Sequence, residues 1–209
     1  MQKHEWRKAE KSLYLPKAKP ELVEVGEMKF ITISGAGNPN SPEFTQYIEA
    51  LYSIAYAIKM TLKKKQPAPV GYVDYTVYPL EGVWDITDEA KANFDGTINK
   101  DDLVFTLMIR QPDFVTEAFF SEMVTMTKAK KANPLLDEVL FCSITEGQCV
   151  QMLHLGPFDD EPASFAKMEA FAAEQGLTRL SKVHREIYLS DTRKVAPEKL
   201  KTTLRFCVA

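Results

Sequence analysis

Apolar positions recur along this chain with two periods, and the switches between them outline its elements. Val23, Val25, Met28, Phe30, Ile31 and Ile33 form an apolar-rich run that stops at Gly35, Gly37 and an Asn38-Pro39-Asn40 turn. That predicts one strand and its exit loop. Ser41-Pro42-Glu43 then carries helix-start signals: a capping hydroxyl, a proline for the first helical position and an early acid. Phe44, Tyr47, Ile48, Leu51, Ile54, Ala55, Ile58 and Leu62 follow at spacings of three and four. One helix face is therefore apolar to about Lys63, and Lys63 to Lys65 suit the negative end of its dipole.

Past the Gln66-Pro67-Ala68-Pro69 break, Val70 to Tyr78 is rich in Val, Tyr and Thr and reads as a strand. A loop holding Trp84, Asp95-Gly96 and Asn99 leads to a second strand, Leu103 to Ile109, antiparallel to the one before it. Asp113 is placed to cap a helix from about Phe114 to Lys130. Val139 to Ile144 and Gln148 to Leu155 flank Thr145-Glu146-Gly147, which fits a hairpin. Gly156-Pro157 ends that strand, and Asp159-Asp160-Glu161-Pro162 opens a helix that runs to a glycine stop at Gly176. Val183 to Ser190 and Thr202 to Val208 complete the strands.

Punctuation repeats between the halves. A strand ending at Gly37 precedes Pro42 and a helix, and a strand ending at Gly156 precedes Pro162 and a helix, about 120 residues on. Each helix leads to two strands. Solenoid repeats are shorter, so this spacing reads as a duplicated strand-helix-strand-strand subdomain. The expected fold is α+β, a pseudo-twofold duplication with antiparallel-rich sheets, helices packed on them and a ligand groove between the halves. All of 1–209 is expected to form one domain, with a first half over 22–111 and a second over 137–208.

Composition narrows the function. The 209 residues are 45% hydrophobic and 26% charged, which is ordinary globular chemistry. A net charge of −3 argues against a dedicated nucleic-acid binder, and the residues before Val23 are too few for a helix-turn-helix reader. No apolar leader or membrane-length stretch is present, so the expected location is cytoplasmic. Cys142, Cys149 and Cys207 lack a Cys-x-x-Cys pair and read as buried, reduced thiols. His4, His154 and His184 share no metal-ligand spacing, and the common nucleotide and hydrolase motifs are missing, so neither metal nor cofactor is expected.

Carboxylates beside aromatics are the informative positions. Alternation in Val183 to Ser190 puts Val183, Arg185, Ile187 and Leu189 on one face and His184, Glu186, Tyr188 and Ser190 on the other. A solvated strand carboxylate is the plain reading of Glu186, as a dipole-favoured acid is of Glu161. Trp84 and Phe158 fall in or beside predicted loops, and Tyr75 in a predicted strand.

Five segments in order resemble the GyrI-like small-molecule-binding family. They are Met28 to Asn40, Leu80-Glu81-Gly82-Val83-Trp84, His154 to Pro162, His184 to Asp191, and Lys199 to Arg205, with Tyr14-Leu15-Pro16-Lys17 as lead-in. The resemblance implies a pseudo-twofold pair of strand-helix-strand-strand units around a groove that takes bulky aromatic or lipophilic compounds. Members include effector-binding domains of multidrug-responsive regulators and cyclopropanoid cyclopropyl hydrolases. Carried over to this chain, the site centres on Glu186 and Glu161 with Tyr75 as catalytic groups, and Trp84, Phe158, Tyr188 and His154 as ligand contacts. A hydrolase acting in detoxification is the expected function; the alternative is a non-catalytic drug-binding module or a binder of a protein such as gyrase, for which no residue signature exists.

Overall fold

The computed structural model describes residues 3–209. In chain order its elements are α1 (Trp6–Ala9), α2 (Lys11–Tyr14), β1 (Glu21–Val25), β2 (Met28–Ala36), α3 (Phe44–Lys64), β3 (Leu80–Ile86), α4 (Asp88–Ala92), β4 (Leu103–Gln111), α5 (Glu117–Lys128), β5 (Leu140–Ile144), β6 (Gly147–Leu155), α6 (Glu161–Glu174), β7 (His184–Tyr188) and β8 (Lys201–Cys207). The fold is α+β. The repeated order appears as β2-α3-β3-β4 and β6-α6-β7-β8. Among the described residues no helix is long and apolar enough to cross a membrane.

Two compact units divide the chain, and they interleave along it. The first comprises Met28–Leu80 and Asp85–Ile144 with the N-terminal residues up to His4. Its strands run β4-β2-β5, and all these pairings are antiparallel. Leu51, Ile54, Ala55, Ile58 and Leu62 of α3 are buried, the face that the spacing of three and four predicts. Phe44 and Tyr47 of that helix meet the ring of Phe105 edge-on at 5.0 and 5.2 Å. Gly35 permits this approach, because a Cβ there would lie 2.7 Å from Phe105 ring carbons.

The second unit comprises Glu5–Glu27, Glu81–Trp84 and Thr145–Ala209. Its strands run β1-β6-β8-β7-β3 with antiparallel pairings. On one face Met168 and Ala172 of α6 pack into Val150, Met152, Leu204 and Phe206. Across the other lies the α1–α2 segment, held by polar bonds to its backbone. Thr203 donates to the Tyr14 carbonyl at 2.9 Å and Arg205 to that of Leu13 at 2.7 Å.

Several local expectations are corrected. The run from Val23 to Ile33 is two strands, because exposed Gly26 and Glu27 interrupt it. β1 pairs with β6, and β2 pairs with β4 and β5. Val70 to Tyr78 is not a strand. It makes one bridge, Tyr75 to His4, while Lys59 takes the Asp74 carboxylate at 3.0 Å and the Tyr75 carbonyl. The strand is Leu80–Ile86, and Trp84 sits in it rather than in a loop. Strand propensity describes fit to a pleated surface, and the fit here was decided by the partner β7. Nor do β5 and β6 form a hairpin: β5 pairs with β2, and β6 with β1 and β8. Thr116, not Asp113, caps α5, accepting from the Phe119 N–H at 3.3 Å. The helix at Ser41 begins only at Phe44, and Glu43 makes no side-chain cap. Cys149 is buried, Cys142 and Cys207 are half-buried, and all three are free thiols.

Candidate functional site

β7 carries the centre of the site because its two faces have opposite jobs. Arg185 points away from α6 into a buried charge network. Its Nη1 donates to Glu81 Oε2 at 2.8 Å and its Nε to Glu146 Oε1 at 3.0 Å. Arg205, directly opposite Arg185 on β8, donates to Glu146 Oε2 at 2.9 Å and to Gln151 Oε1 at 3.2 and 3.0 Å. A one-residue slip would bury Glu186 in place of Arg185 against these partners, so the network pins the register of β7. Sequence reasoning missed it, although an arginine amid Val183, Ile187 and Leu189 was a signal of buried charge.

With Arg185 so held, Glu186 turns to the α6 side. Its neighbours across the sheet are Leu204 on β8 and Gly82 on β3. Gly82 contributes no side chain opposite Glu186, and Trp84 reaches the Glu186 carboxylate through the Tyr188 hydroxyl. Trp84 Nε1 donates to the Tyr188 hydroxyl at 2.7 Å, and that hydroxyl donates to Glu186 Oε2 at 2.8 Å. His184 Nε2 lies 3.1 Å from Glu186 Oε1. Burial and the adjacent Glu186 charge push the Tyr188 hydroxyl well above its ordinary range. It is therefore a donor and not a phenolate.

Glu161 completes the cluster from the first residue of α6. Its position follows from a latch. Gly156, at φ 127°, turns the chain out of β6. His154 then lies 2.9 Å from Ser164 Oγ through Nδ1 and 3.0 Å from the Pro157 carbonyl through Nε2. Since a carbonyl only accepts, Nε2 donates to Pro157, and Nδ1 shares a hydrogen bond with the Ser164 hydroxyl. The end of β6 is thereby tied to the first turns of α6. A helix N-terminus favours a carboxylate, yet the Glu161 carboxyl is pushed up to about 10. Burial is the main cause, followed by the charge of Glu186 and a hydrogen bond shared with it. At neutral pH Glu161 keeps its proton beside Glu186.

Aromatic rings frame this pair. Phe158 meets Tyr188 edge-on at 5.9 Å and is 38% exposed, enough to touch an incoming molecule. Phe165 meets the His184 ring at 4.6 Å. Glu186, Glu161, Trp84, Tyr188, Phe158 and His154 thus all belong to the second unit. Tyr75 belongs to the first, where its buried hydroxyl has no hydrogen-bond partner and its ring lies 5.9 Å from that of Phe114. Ser164, His184 and Gly82 are additions to the predicted set.

This arrangement offers a carboxyl acceptor, a carboxyl with raised proton affinity and an aromatic frame in one place. A model of the GyrI-like small molecule binding domain matches residues 18–208. The chain is 38% identical to a hydrolase from Listeria innocua, with a TM-score of 0.86 over 99% of this chain and 100% of that one. It is 39% identical to an uncharacterized conserved protein from Listeria innocua, at a TM-score of 0.87 over 99% of this chain and 100% of the other. The EcmrR C-terminal domain, 13% identical, aligns over 91% of this chain and 97% of its own at a TM-score of 0.56, a likeness of fold alone. No curated protein matches the chain.

Proposed function

The chain belongs to the GyrI-like small molecule binding domain family, and on that premise we propose that it is a cofactor-independent hydrolase that opens the cyclopropane of cyclopropanoid DNA-alkylating compounds. What carries this reading is the Glu161 carboxyl, pushed up to about 10 by burial and by Glu186 beside it. A carboxyl whose proton affinity is raised beside a second carboxylate can supply the acid while the other supplies the base.

In the proposed reaction Glu186 takes a proton from water, and the water oxygen bonds to the unsubstituted ring carbon. The ring C–C bond breaks, and its electron pair moves through the dienone to the carbonyl oxygen, which becomes a phenolate. Glu161 gives that oxygen its proton, and transfer from Glu186 back to Glu161 resets the pair. Net, one water is added. Tyr188 and His184 hold the Glu186 carboxylate in place, and Trp84, Tyr188 and Phe158 are the proposed walls for a flat apolar ligand. Tyr75 is carried over as a catalytic candidate by the family resemblance alone, and Tyr75→Phe tests it separately.

The second reading is a non-catalytic module that sequesters or senses lipophilic cations. A carboxylate flanked by Trp84, Tyr188 and Phe158 favours it. One experiment separates the two: incubate the protein with a cyclopropanoid alkylator and seek the water adduct by mass spectrometry. Glu186→Gln should lower formation of that adduct by roughly 10² to 10⁴ while leaving the affinity for a neutral ligand unchanged. Absence of the adduct with wild-type protein, together with loss of cation binding in Glu186→Gln, would establish the module instead.

A further inference from the structure

We propose that Cys149 and Cys207 are a redox modification site, closed by hydroperoxides into a reversible disulfide across β6 and β8. The two residues stand directly opposite each other in the antiparallel register. The Val208 N–H donates to the Gln148 carbonyl at 3.0 Å, which makes Gln148 and Val208 a hydrogen-bonded pair. The next pair inward, Cys149 and Cys207, is therefore of the non-hydrogen-bonded kind, whose Cα atoms approach to about 4.5 Å. That separation lies within the range that disulfides span, about 4.4 to 6.8 Å. The sulfurs are already 3.7 Å apart, so rotation about the side-chain bonds suffices to bring them together.

The two thiols differ in exposure. Cys207 is half-buried and meets the oxidant first, whereas Cys149 is fully buried and is reached through Cys207. In the first step the Cys207 sulfur attacks the peroxide, the O–O bond breaks, and a sulfenic acid and water (or an alcohol) form. In the second the Cys149 sulfur attacks the sulfenic sulfur, the S–O bond breaks, and water leaves. A thiol reductant reverses the bond.

A metal ion is the competing occupant, since a Glu146 oxygen and both sulfurs lie within 4.8 Å of one another. Both Glu146 oxygens are engaged by guanidinium groups, at 3.0 Å from Arg185 and 2.9 Å from Arg205. A cation there would face two positive charges, whereas a neutral disulfide would not. The bond would also close the segment that carries Glu161, His184, Glu186 and Tyr188, with consequences for how tightly the site is held.

Differential alkylation tests this on the full chain. After brief exposure to a small excess of hydrogen peroxide, denaturation and alkylation should label one thiol per monomer, Cys142, and digestion should yield a peptide linking Cys149 to Cys207. Dithiothreitol should restore three labels, and the oxidised protein should melt several degrees higher. Cys207→Ser should abolish the linked peptide, and Cys142→Ser should leave it intact. Three labels after peroxide, a link through Cys142, cross-linked dimers alone, or protection released by a chelator would each overturn the proposal. None of these readouts needs a substrate or the hydrolytic reading.

Discussion

Glu161 is where a residue's surroundings most clearly reverse its ordinary chemistry. Its carboxyl is shifted up to about 10 by burial and by Glu186. Between the ordinary carboxyl range and that value, the folded chain holds a proton that the unfolded chain has released, so stability falls as pH rises across the window. The slope from this one group can reach about 1.4 kcal/mol per pH unit. Glu161→Gln keeps the neutral shape and removes the titration. Its melting temperature should decline less than that of wild type between pH 6 and 9, and parallel curves would mean that Glu161 is ionised in the fold. Glu186→Gln tests the other half of the pair, as set out above. Both residues were legible as candidates from their segments. That Glu161 would be the protonated one was not, because its place at a helix start argued for a stabilised charge.

At the scale of elements, the helices were read more faithfully than the strands. The buried positions of α3 recur at spacings of three and four inside one continuous segment. A helix satisfies its own backbone, so its pattern is local. A strand needs a partner from elsewhere. Val70 to Tyr78 had the composition of a strand and became an irregular segment, while Leu80–Ile86, with Gly82 inside it, became β3 because β7 was there to pair with it. Likewise Gly147, at φ 71°, starts β6 without folding it back on β5. Close packing on a strand can be tested at Gly35. Alanine there would bring its Cβ to 2.7 Å from the Phe105 ring and 2.8 Å from Tyr47. Gly35→Ala should destabilise the protein by about 1 to 3 kcal/mol in denaturant titrations, as overpacking usually does. A value near zero would require the two rings to move freely.

For the molecule as a whole, the decisive feature is that neither unit is a continuous stretch of chain. The second unit needs β1 beside β6, and Glu81 as a partner of Arg185. The first needs β5 beside β2. A fragment ending near Lys131 keeps β1 without β6 and β2 without β5. It should therefore show poor spectral dispersion and no cooperative melting transition. A well-dispersed fragment with a sharp transition would mean that the first unit is a domain by itself. A fragment of 137–209 should fail for the same reason, leaving Arg185 without Glu81.

The sequence by itself determined the α+β class, the doubled strand-helix-strand-strand order, the apolar face of α3, and the alternation that sets Glu186 against Arg185. Each of these follows from periodicity or punctuation within a short window. Only the tertiary structure decided which strands pair, that Arg185, Glu81, Glu146 and Arg205 share one buried network, and that Trp84 bonds to Tyr188 and Tyr188 to Glu186. It alone placed Glu161 beside Glu186 and so set where the proton resides. The physical reason is the same throughout: backbone preference and amphipathicity are local. Strand partners, desolvation and the charge facing a side chain are supplied by residues far away in the chain.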